Sequence, residues 1–203
     1  MHINTEDLYH SIEESFKRMS YIKPEDIPDI DLYMDQVTIF MDEKLKSSQR
    51  NSDGDDKVMT KAMINNYAKN HVMPAPEKKK YGKEHLFVLI FIYYLKSIIS
   101  INDIKSIFDP IVPEYFGKDK DYSMEDIFRE VFKDKDEQLQ EISDDVLKKH
   151  KISMERFEDA PEEMKEYLKN FDFVCRLSCE VFVKKLLIEK IVDGLRDGHS
   201  DSK

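Results

Sequence analysis

Between Pro161 and Leu195 the apolar spacing is helical without a break, roughly 35 residues or about 50 Å of helix. Ala160-Pro161-Glu162-Glu163 is a strong start, with proline at the first position and acids facing the positive end of the dipole. A helix this long is unusual in a compact domain and asks for a partner helix. In a seven-residue frame Phe171, Val174, Ser178, Val181, Lys185, Ile188, Val192 and Leu195 share one seam. Ser178 and Lys185 interrupt it, so a long bundle helix and a coiled coil both stay open.

The rest of the chain repeats the same period and almost never alternates with period two, so the expected class is all-α. Helices are expected over 5–19, 32–45, 61–70, 83–97 and 101–108, with further helical pattern from Ser123 onward. Asp31, Thr60, Ser100 and Ser123 stand where N-caps are needed, and Ile30 stands where a hydrophobic staple would pack. Residues 83–97 are apolar almost all round, the mark of a central core helix. Residues 47–56 read as a polar loop. Met73 to Gly82 is excluded from helix by Pro74 and Pro76. Asp109-Pro110 and Pro113 divide the chain into a module over 1–112 and a helical region over 113–203.

The longest uncharged apolar run, Leu86 to Leu95, is ten residues, about half of what a bilayer core needs. No membrane partner is expected, nor is a signal peptide, because the first residues lack a basic and an apolar region. Cys175 and Cys179 lie four apart in a helical pattern and suit two small buried core residues better than a disulfide or metal pair. A cytoplasmic location follows as the expectation.

The formal net charge of -10 argues against nucleic acid, but it averages unlike segments. Residues 1–56 hold 6 basic and 14 acidic side chains, residues 57–105 hold 9 and 3, and residues 106–203 hold 17 and 25. A basic module between acidic flanks is the footprint expected for phosphate. Within it the 61–70 helix puts Met63 and Tyr67 on one face and Lys61, Asn65 and Lys69 on the other, beside Asn66. Such a face suits a DNA major groove, where an asparagine amide pairs with adenine. The proline-rich stretch then delivers Lys78, Lys79 and Lys80 as an extended basic projection, with Lys83 behind them.

The run from Met59 to Phe108 resembles the MerR-type winged helix-turn-helix. Thr60 to Tyr67 stands for its recognition helix, Pro74 to Tyr81 for its wing, and His85 to Leu95 with Ile101 to Lys105 for the helices that follow. The phrases Asp-Leu-Tyr-Met-Asp-Gln-Val, Ile-Asn-Asn-Tyr and Lys-Lys-Tyr-Gly-Lys-Glu-His are more closely similar to a bacterial family, the domain of unknown function numbered 1836, over about residues 25–110. The resemblance implies a variant winged helix-turn-helix that binds double-stranded DNA in a transcription regulator. The C-terminal helices are expected to dimerise or to receive a signal. A homodimer through them is expected because two spaced half-sites give a specificity that one short helix cannot. Two departures stand out. About 13 residues separate the helices at 32–45 and 61–70, where a helix-turn-helix turn has about three or four. Residues 57–105 contain no arginine, so phosphate binding is favoured over forked guanine contacts.

Other chemistry is thin. Asp119, Asp121 and Glu130 mimic part of a calcium loop, but Met124 replaces its glycine and Ser123 explains the acids as a helix cap. His71 and His85 flank the wing as lone histidines. Nucleotide, zinc-protease and hydrolase motifs are missing, so neither a cofactor, a metal site nor an enzyme is expected. The alternative to DNA binding is a helical module that docks other proteins through the same basic face.

Overall fold

Ten apolar residues in succession, Leu86 to Leu95, need cover on every side, and the fold is arranged to provide it. The computed structural model describes residues 22–46, 57–118 and 121–200, together with His10 and Glu14. A 3-10 turn, Pro24–Asp26, precedes β1 (Leu32–Tyr33) and α1 (Met34–Leu45). Then come α2 (Lys61–Lys69), β2 (Lys80–Tyr81), α3 (Lys83–Leu95), α4 (Ile101–Phe108), α5 (Val112–Tyr115), α6 (Met124–Val131), α7 (Lys135–Met154) and α8 (Glu162–Ser200). The architecture is therefore all-α apart from one two-stranded ladder. Of the helix expected over 5–19 only His10 and Glu14 are described, both helical, and the loop expected over 47–56 lies outside the described residues.

The capping residues act as their chemistry requires. The Thr60 hydroxyl accepts the Met63 N–H at 3.2 Å and starts α2. Ser100 and Asp103 form a reciprocal box at α4, as Ser123 and Asp126 do at α6. That box, rather than a calcium loop, accounts for the acids near Ser123; Glu130 pairs with Lys133 at 3.4 Å, and Asp119 lies outside the described residues. The helix start expected at Leu32 with Asp31 as its N-cap is corrected, since the N-cap is Tyr33. Leu32 and Tyr33 form β1 by pairing with Tyr81 and Lys80, so α1 begins two residues later and Gln36 Oε1 accepts the Tyr33 N–H at 2.9 Å. Ile30 is exposed and staples nothing.

The described residues divide into two compact units, 22–133 with 188–200, and 134–187 with His10 and Glu14. In the first, α3 is central, and Leu86 through Ile90 are all buried. The Phe128 ring of α6 packs 4.7 Å from that of Phe87, and Phe132 stacks on Phe91 at 5.5 Å. Because α6 covers α3, this unit extends past the division expected at residue 112. The end of α8 belongs to it as well. Val192 is buried there, and Arg196 donates to Asp103 at 2.5 Å and to Ser106 at 2.9 Å.

In the second unit α7 lies against α8. Ser153 donates to Asp172 at 2.8 Å, Lys149 pairs with Glu180, and the His150 ring meets Phe173 edge-on at 5.2 Å. Cys175 and Cys179 are exposed rather than buried, since the side of α8 that packs is the one carrying Asn170 and Phe173.

Candidate nucleic-acid interface

Helix α2 is short and two-faced. Ile64 and Tyr67 are buried and Met63 is half-buried, which turns Lys61, Asn65, Asn66 and Lys69 to the outside. The apolar anchor is therefore Ile64 with Tyr67, a shift of one residue from Met63. Asn66 is partly committed, because its side-chain oxygen accepts from Asn70 Nδ2 at 2.7 Å. Asn65 and Lys69 are exposed, and their side chains make no hydrogen bond or ion pair among the described residues.

The segment after α2 is a turn, not an extended projection. The Lys80 N–H donates to the Glu77 carbonyl at 2.9 Å, closing a four-residue turn with Lys78 at φ 49° and Lys79 at φ 67°. Positive φ at both central positions is the pattern of a type I′ turn, where asparagine and glycine are usual. Two adjacent lysines held left-handed are strained, at about 1–2 kcal/mol each. Both are exposed at the tip.

Lys80 leaves the turn along β2. Its ammonium lies 5.6 Å from the centroid of the Tyr33 ring, its partner across the ladder. Lys61, at the start of α2, pairs with Asp35 in the first turn of α1. Two lysines 19 positions apart thus converge on residues 33 to 35. Tyr33 and Asp35 escaped the sequence reading, although both stand in the Asp-Leu-Tyr-Met-Asp phrase. Only the long-range ladder shows their role.

The other cations of the basic segment are largely answered. Lys83 bridges Asp29 at 2.8 Å and Glu125 at 3.0 Å, and these two carboxylates raise its pKa. Lys57 pairs with Asp42 at 3.7 Å and Lys105 with Asp109 at 3.0 Å. Lys96 is half-buried and donates to the Val58 carbonyl at 3.0 Å; burial lowers its pKa. Acids remote along the chain therefore fold back onto Lys57, Lys61 and Lys83. Of the eight lysines and asparagines singled out, Asn65, Lys69, Lys78 and Lys79 remain the most open to a partner, since the Lys78–Glu77 pair is long, 3.9 Å, and almost fully exposed.

The two flanking histidines differ. His71 is exposed just past α2, at φ 56°. His85 is buried at the start of α3, where Nδ1 accepts the Gly82 N–H at 3.1 Å, and burial pushes its pKa below the usual histidine value. Its ring stands edge-on to Tyr81 at 5.4 Å and to Phe116 at 4.7 Å. Among the described residues no group of three or more histidine, cysteine or acidic side chains is placed to hold a metal. No helix among them is long and apolar enough to cross a membrane.

A family profile described as "Domain of unknown function (DUF1836)" matches residues 22–132. The chain belongs to that family. Its matched span ends one residue before the first compact segment does, at 133. Neither a curated protein nor a solved structure matches the chain.

Proposed function

We propose that the DUF1836 region binds double-stranded DNA, in the manner of a variant winged helix-turn-helix, within a cytoplasmic bacterial regulator of transcription. One observation carries the reading: two consecutive lysines, Lys78 and Lys79, are held left-handed at the exposed tip of a tight turn. Backbone strain of this kind persists where the conformation serves a contact. Asn65 and Lys69 on α2 would meet the major groove, with Lys61 and Asn66 beside them, and Lys78 to Lys80 the neighbouring phosphates. Lys83 stays with its two carboxylates, Asp29 and Glu125. A pair of chains joined through the C-terminal helices would read two half-sites, because one short helix reads too few bases.

Binding to pooled genomic fragments under a salt titration tests this. Three lysines per chain and two chains give a log–log slope of about -5, with related sequences recovered. Failure to bind at low salt ends the proposal. A second reading, docking to another protein, is favoured by the ion pairs that neutralise Lys57, Lys61 and Lys83, and it predicts no dependence on DNA at any salt.

A further inference from the structure

The seam read along the long helix is used in two different ways. Ile188 and Val192 join the core of the first unit, with Val192 only 2% exposed. The N-terminal part of the seam is uncovered, as are Tyr167, Phe182 and Leu186 beside it. Tyr167 is 64% exposed, Phe171 55%, Val174 58%, Val181 66%, Phe182 61% and Leu186 44%. Over the same stretch Asp172 and Glu180 turn the other way, to Ser153 and Lys149 of α7. A charge-free strip about 22 Å long is left from Tyr167 to Phe182.

Its size points to its occupant. An aromatic side chain presents roughly 200 Å², so Tyr167, Phe171 and Phe182 alone leave about 350 Å² open. Val174, Val181 and the adjoining Leu186 bring it to roughly 600 Å², about three quarters of the roughly 800 Å² that each partner supplies to a standard interface. Monomeric surfaces seldom carry a contiguous apolar patch this large without a partner. The strip keeps the three-and-four spacing by which like helices interlock, at Tyr167, Phe171, Val174, Ser178 and Val181. Ser178, small and near its middle, lets two backbones approach closely.

We infer that this strip packs against the same strip of a second copy of the chain, forming a two-fold interface. The inference specifies the pairing on which the DNA reading relies, yet it is tested without DNA. Cys175 flanks the strip between Phe171 and Phe182, whereas Cys179 sits one turn on and farther from its centre. Pairing therefore shields the Cys175 thiol more than the Cys179 thiol.

Sedimentation of the full chain, with alkylation of the two thiols followed by mass spectrometry, decides the matter. The expected result is a two-chain mass, with Cys175 alkylated more slowly as protein concentration rises. Val174→Asp should weaken pairing about thirtyfold or more and restore the Cys175 rate. Val131→Asp, at an equally exposed valine of α6, should leave both unchanged. A single-chain mass at about 100 µM overturns the inference. If Cys175 is nevertheless protected in that monomer, the strip is covered by the chain's own residues instead. A dimer that ignores Val174→Asp also overturns it. A dimer that binds no DNA leaves the interface standing and removes only the DNA reading; a monomer that binds DNA does the reverse.

Discussion

His85 Nδ1 accepts the backbone N–H of Gly82 at 3.1 Å, so the imidazole at the third helical position satisfies the N-cap N–H. This is one half of what a capping box does, while glycine offers no side chain for the other half. That bond requires an unprotonated Nδ1, and burial already disfavours the cation. The Ala75 carbonyl and the Asp31 carboxylate oppose this without reversing it. With the folded pKa depressed, the contribution is fully present above the unfolded value near 6.5 and is lost as pH falls from there toward the folded value. His150, also lowered by burial, acts in the same window, while the lowered Asp103, Asp126 and Asp172 act only under more acidic conditions. His85→Gln keeps an acceptor and removes the titration. Urea midpoints at two pH values should show a smaller acid loss for the variant; an unchanged loss would clear His85 of the effect. His85→Ala should cost about 1 kcal/mol for the cap alone at neutral pH.

At the tip of the turn, stability and binding should move in opposite directions. Lys78→Asn with Lys79→Gly places the preferred pair at two left-handed positions. The melting temperature should rise, with a gain of about 1–2 kcal/mol. DNA affinity should fall, and the salt slope should flatten by about two for each chain. A variant that is no more stable than the parent would show that the turn is unstrained.

Lys83 was expected among the phosphate contacts, but it ties α3 to Asp29 and to Glu125 of α6. Its side chain is only 24% exposed. Lys83→Met should destabilise the fold by about 1 kcal/mol, since the pair is partly solvated. The salt slope for DNA should stay as it is. A slope reduced by about one would return Lys83 to the contact surface.

What could be read from the sequence was local. The caps at Thr60, Ser100 and Ser123 and the apolar α3 depend on neighbours within four residues, and each stands where the spacing put it. What escaped depended on partners far along the chain. Leu32 and Tyr33 fit a helical period, yet they pair with Tyr81 and Lys80, 47 or more positions away. Lys61, Lys57 and Lys83 read as a positive segment because their acids, Asp35, Asp42 and Asp29, lie in another stretch of sequence. Cys175 and Cys179 have the composition of core residues, but which side of a helix packs is decided by the helix it meets.

Phe128 tests where the first unit ends. It is fully buried, and its ring contacts those of Phe87, Phe91 and Phe132 at 4.7, 5.4 and 4.7 Å. A boundary at residue 112 makes α6 an outside element, so that Phe128→Ala would scarcely affect residues 22–112. Packing makes α6 the cover of α3, and the same change then removes about 3–5 kcal/mol from the whole unit. Amide exchange distinguishes the two. Protection in α1, α3 and α4 should fall together with that of α6 in the variant. If exchange quickens in α6 alone, the division belongs near 112 after all.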